Sequence, residues 1–168
     1  AWKDAAENFK RGTYDIDGGP NVTVTATVPV IWVRKQLGPT LQSGATIKEN
    51  INISRYQYPS VNVVGVIPGT DSRLKTEYLL LSSHIDAHGV RNPVNGDSIY
   101  YGADDNASVT AAMLASARAF VKYPPKRSVL LVIHGSEERG LLGSRYYAAH
   151  STVPLNKIVT VLNGDMIG

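Results

Sequence analysis

The rhythm of apolar and polar positions changes once along the chain. Residues 22–28 alternate apolar side chains with threonine at period two, and residues 28–33 form a nearly continuous, β-branched apolar run; both patterns predict strands. A short helix is predicted at 2–10, a turn-rich loop at 12–20 and a helical turn near 39–42 closed by Gly44. In residues 45–58 the spacing of Ile47, Ile51 and Ile53 fits another strand. Beyond Pro59 strands alternate with helices. Strands are predicted at 61–67, 78–83, 128–133 and 158–163, the first two separated by the Pro68-Gly69-Thr70-Asp71 turn. Ala107, Ala111, Leu114, Ala117 and Val121 recur at three- and four-residue steps, which predicts a helix with a buried stripe, stopped by Pro124-Pro125. A second helix is predicted at 140–150, and a long polar loop after residue 83. The fold class read from this order is α/β, a mainly parallel sheet with flanking helices and right-handed crossovers, preceded by a β-rich segment. The domain boundary is placed between 1–58 and 59–168.

Acidic residues and one histidine fall at the ends of these apolar runs: His84 with Asp86, Asp104-Asp105, Glu137-Glu138, and Asp165. In parallel sheets ligands sit beyond the carboxyl ends of strands, so these groups are expected to converge at one sheet edge. Carboxylates gathered that closely need a cation between them, because like charges in a poorly solvated site cannot all ionise. Taken singly the motifs are modest. Adjacent acids before a helix serve as caps, and Asp165 alone reads as a strand-end turn residue. Together, imidazole plus carboxylate suits zinc best, with manganese or cobalt as alternatives. Asp86 is placed to accept a hydrogen bond from the ring nitrogen of His84 that does not face the metal. His88, deeper in the polar loop, is a rival ligand.

Composition narrows the chemistry. The chain has 168 residues, 43% hydrophobic and 18% charged, enough for a buried core. With no cysteine, any metal must be held by histidine and carboxylate. A net charge of +3 and a pI near 9.1, with scattered basic residues, give no footprint for nucleic acid. No apolar run approaches the roughly 20 residues of a membrane span.

His84-Ile85-Asp86, the motif from Gly102 to Ser108, Glu137-Glu138 with the following Gly140-Leu141-Leu142-Gly143-Ser144, and Gly164-Asp165-Met166 resemble, in the same order, the M28 family of zinc exopeptidases. The resemblance covers roughly residues 60–168, so 59–168 is expected to be the N-terminal part of an M28 peptidase domain. It implies two zinc ions. Asp105 bridges them, His84 and Asp165 complete one, Glu138 binds the other, Glu137 is the general base and Asp86 orients His84. The implied reaction is hydrolysis of N-terminal residues from a peptide with a free amino terminus, in a secreted or periplasmic enzyme. Residues 1–58 resemble the tail of a protease-associated domain.

Two departures from the family pattern stand out. The further histidine that pairs with the Glu138 position lies downstream in the family, so the chain is expected to be a segment, cut at both ends, whose partners include a complementary chain segment. Val109 stands where glycine commonly follows Ala-Ser and is expected to crowd the helix start. Rival readings are a carboxypeptidase, a single-zinc glutaminyl cyclase of the same fold, and a non-catalytic binding homologue.

Overall fold

The computed structural model describes residues 14–17, 33–41, 44, 46–48, 50, 52 and 54–168. The helix predicted at 2–10 and the strands predicted at 22–33 lie outside the described residues, Val33 excepted. The chain divides into two compact units, Ala1–Thr13 with Pro20–Pro59, and Tyr14–Gly19 with Ser60–Gly168.

In the first unit the regular element among the described residues is a 3-10 helix, Lys35–Thr40, with Pro39 inside it. The turn predicted at 39–42 therefore starts earlier. The strand predicted within 45–58 does not form among the described residues there. Alternating apolar residues specify a strand only where a sheet covers them, and here Ile47, Tyr56 and Tyr58 are exposed.

The second unit is built on a four-stranded sheet with order β1-β5-β2-β6. Its strands are β1 (Val63–Ile67), β2 (Tyr78–His84), β5 (Ser128–His134) and β6 (Ile158–Asn163). Two helices, α1 (Val109–Lys122) and α2 (Leu142–Ala149), alternate with them. β5 lies centrally, which is why its Val-Leu-Leu-Val-Ile run is apolar at every position and buried at most of them. Leu80, Leu130, Val132 and Tyr147 form the buried centre.

β2 pairs in parallel with β5 and β6, as the alternation predicts, but β1 runs antiparallel to β5. The physical reason is the short link between β1 and β2. Parallel strands need a crossover of roughly a dozen residues or more, and the Pro68 turn followed by the 3-10 helix Leu74–Thr76 is too short for one. β6 carries an extra residue near its start. Tyr78 pairs with Ile158 and Leu79 with Thr160, leaving Val159 bulged, and from there the register runs evenly to Ser82 opposite Asn163.

Two other expectations are corrected. The long polar loop is largely a hairpin, β3 (Gly89–Val94) and β4 (Asp97–Tyr100), turned at Asn95-Gly96 with both residues at positive φ. The buried stripe of α1 is also rotated. Val109, Thr110 and Met113 are buried, whereas Ala107, Ala111, Leu114 and Val121 are exposed. No helix among the described residues is long and apolar enough to cross a membrane.

Candidate metal centre

The pairing of His84 with His134, and of Ser82 with Asn163, brings the carboxyl ends of β2, β5 and β6 to one edge of the sheet. The ends of β2 and β6 are pinned by polar bonds. Ser82 Oγ donates to Asn163 Oδ1 at 2.7 Å, Ser83 Oγ contacts Thr110 Oγ1 at 3.0 Å, and Thr110 Oγ1 donates to the His84 carbonyl at 3.1 Å. The start of α1 is thereby fixed to the last residue of β2.

His84 is 4% exposed. Its Nδ1 lies 3.1 Å from the backbone carbonyl of Asp86, so Nδ1 carries the proton and Nε2 presents its lone pair. That Nε2 is buried and has no hydrogen-bond partner. Facing it are Asp105 Oδ1 at 3.2 Å, Asp165 Oδ1 at 3.5 Å and Glu137 Oε2 at 3.8 Å. One ligand atom from each of His84, Asp105 and Asp165 falls within 4.8 Å of the others. A buried imidazole lone pair aimed between two carboxylates fits a divalent cation, and the nitrogen-oxygen donor set fits zinc.

The two aspartates arrive by different routes. Asp105 lies in a wide helical turn, Ala103–Ser108, entered through Gly102 at φ 70°. A Cβ at Gly102 would stand 2.5 Å from the Ala87 Cβ and 2.7 Å from the Asp105 carbonyl, so only glycine fits. Its neighbour Asp104 turns elsewhere and accepts the Gly168 amide at 2.8 Å. Asp165 follows β6, and Asn106, fully buried, ties the two aspartate segments together. Asn106 Nδ2 donates to the Gly164 carbonyl at 3.0 Å, and its Oδ1 accepts the Met166 amide at 3.3 Å. Asn106 belongs to the Gly102–Ser108 motif, but its sequence position assigns it no partner; the tie to Gly164 and Met166 is visible in the fold alone.

Asp86 also sits differently from expectation. Its backbone carbonyl, rather than its carboxylate, takes the His84 Nδ1 bond; the carboxylate stands 3.7 Å from that nitrogen. The carboxylate instead accepts the Glu137 and Glu138 amides at 2.9 and 3.1 Å. It thus caps the 3-10 turn Glu137–Arg139, which Ser136 enters and Gly140 leaves in the left-handed region.

Residues 62–168 match Peptidase family M28. The chain belongs to that family. It is 29% identical over 144 residues to "Aminopeptidase YwaD" of Bacillus subtilis, covering 84% of this chain and 29% of that protein. It is 32% identical over 116 residues to a "Probable zinc metalloprotease" of Pyrenophora tritici-repentis, covering 68% and 24%. To a "Vacuolar membrane protease" of Saccharomyces cerevisiae it is 32% identical over 121 residues, covering 71% and 11%. The chain spans less than a third of the length of each of these relatives.

Electrostatics in this M28 segment follow from crowding. Burial pushes the Glu138 carboxyl up to about 7, with the Asp105 and Glu137 charges adding to the rise. Burial likewise raises Glu137; His84 opposes the rise, and the carboxylates of Asp165, Asp86 and Asp105 reinforce it. A bound cation reverses such shifts by giving each carboxylate an opposite charge. Neither His134 nor His150 belongs to the ligand group. His134 is buried against Tyr147, and that burial lowers its pKa. His150 stacks on Tyr146 at 4.2 Å.

Val109 does not crowd its helix. It is 6% exposed and packs onto Gly164, where an added Cβ would stand 2.5 Å from Val109 Cγ1. Gly164→Ala is expected to cost about 1–3 kcal/mol by overpacking and to weaken zinc binding by displacing Asp165. Val109→Ala in the same chain removes the clashing methyl and recovers part of both. Urea unfolding and zinc titration of the two single variants and the double variant check this, and strictly additive effects would mean the contact is not the cause.

Proposed function

We propose that this chain carries the metal-binding side of a zinc-dependent peptidase centre that removes residues from the amino terminus of peptides. The observation that carries the reading is the buried, unpartnered His84 Nε2 facing Asp105 and Asp165. His84, Asp105 and Asp165 are assigned to one ion, and Glu138 with a share of Asp105 to a second. Zinc, when bound, supplies Lewis acidity toward the scissile carbonyl and the attacking water.

The remaining work falls to the protein. Glu137, on the rim of the group, takes a proton from the attacking water and delivers it to the leaving amine. Its desolvation raises its basicity toward that task. Asp86 holds the Glu137 and Glu138 amides, so one carboxylate sets the positions of both glutamates.

Release from the amino terminus, rather than elsewhere, is supported by the Bacillus subtilis relative named an aminopeptidase. On their resemblance alone, residues 1–58 enter the proposal as the tail of a protease-associated domain, and the whole protein as secreted or periplasmic. The test compares amino-acid release by the full-length zinc-loaded protein from one peptide with a free and with a blocked amino terminus. Release from the free form alone is expected. A carboxypeptidase would cleave both, a glutaminyl cyclase would liberate ammonia instead, and a binding homologue would release nothing.

A further inference from the structure

The β3–β4 hairpin sends one side chain back to the glutamate turn. His88, the residue before β3, places Nδ1 2.7 Å from Glu138 Oε2. The Glu138 side chain is 9% exposed and that of His88 29%, so the contact is largely screened from water. Two ligand atoms on one tetrahedral zinc stand about 3.3 Å apart. At 2.7 Å the pair is a direct contact of hydrogen-bond length, and not two ligands spanning an ion. The bond engages Oε2 and leaves Oε1 of Glu138 for a metal.

The hairpin fixes where His88 stands. Gly89 pairs with Tyr100 across the hairpin, at φ 67°. The Tyr100 ring meets the His88 ring edge-on at 5.9 Å, and the Arg91 guanidinium lies 5.8 Å from the Tyr100 ring centre. Glu138 is therefore held from two sides, its amide by the Asp86 carboxylate and its carboxylate by His88.

We infer that His88 is a positioning residue for the second metal position, orienting the Glu138 carboxylate through the β3–β4 hairpin. This rests on the assignment of Glu138 as a ligand of the second ion. Partners of this kind fix the geometry of a ligating carboxylate, and losing one typically weakens metal affinity about 10–100-fold.

The experiment is calorimetric zinc titration of the full-length protein, wild type against His88→Ala and His88→Asn. Asparagine keeps an N–H donor near the position of Nδ1. In the alanine variant the second ion, assigned to Glu138, is expected to bind about 10–100-fold less tightly, with the first ion unchanged, which also shows that the variant is folded. The asparagine variant is expected to recover most of the loss. Two ions bound at wild-type affinities in the alanine variant would overturn the role of His88 while leaving the dinuclear reading intact. An asparagine variant no better than alanine would overturn the hydrogen-bonding role. A wild-type protein that binds one ion only would overturn both this inference and the dinuclear assignment beneath it.

Discussion

Asp105→Ala is expected to empty both metal positions of the proposed dinuclear centre and to abolish the proposed activity. A carboxylate has two oxygens and can belong to two coordination spheres at once, whereas an imidazole offers one lone pair. Asp105 Oδ1 already stands 3.2 Å from His84 Nε2, and after burial the Asp105 charge adds to the rise of Glu138. It therefore faces both proposed positions. His84→Ala, by contrast, is expected to weaken chiefly the first ion. The loss on removing Asp105 approaches the whole enzymatic acceleration, about 10⁶-fold or more. Zinc titration of the two variants separates the cases, and two ions held at native affinity without Asp105 would end the bridging assignment. Asp105→Asn, which keeps the shape of the turn, guards against reading a folding defect as metal loss.

Glu137→Gln is expected to cost about 10²–10⁴-fold in kcat with zinc content nearly unchanged. The amide keeps the size of the side chain and leaves the backbone bond to Asp86 in place, since that bond uses the Glu137 amide nitrogen. What it removes is the ability to accept a proton. Steady-state kinetics with metal analysis of the same preparation provide the check: wild-type turnover, or loss of zinc, would show that Glu137 is not the base.

Strand positions were legible because their apolar runs are short, β-branched and bounded by turns. β6 falls where its sequence places it, and β2 and β5 extend one residue further, to His84 and His134. Orientation was not legible for β1, because it depends on how much chain separates two strands and not on their composition. The face of α1 was misread because small residues recur on both sides of the helix. The Ala107–Val121 stripe and the Val109–Met113 face both satisfy helical spacing, and contact with β2 and Gly164 selects the second. The hairpin escaped notice behind Asn92, Pro93 and Asp97, although Asn95-Gly96 is a strong hairpin turn pair.

In the candidate centre, residue types at strand ends carried most of the information. Sheet order brings His84 and Asp165 together, and the turn before α1 adds Asp105. Hydrogen-bond partners did not follow, because they depend on side-chain and carbonyl directions that spacing cannot encode. Asp86 bonds the glutamate turn rather than the imidazole through its carboxylate, and Asn106 joins two segments far apart in sequence.

The bulge at Val159 gives the metal site a bearing on folding itself. A strand shifted by one residue turns every side chain to the opposite face. A β6 paired without the extra residue would carry Asp165 away from His84. Beyond Ile158 the residues of β6 are exposed, so hydrophobic burial discriminates poorly between the two registers. On the proposed assignment a bound cation would discriminate between them, since the bulged register brings Asp165 to His84 and Asp105. An ion held there would act as a proofreader of strand alignment, favouring the one pairing in which segments from three distant parts of the chain have all arrived.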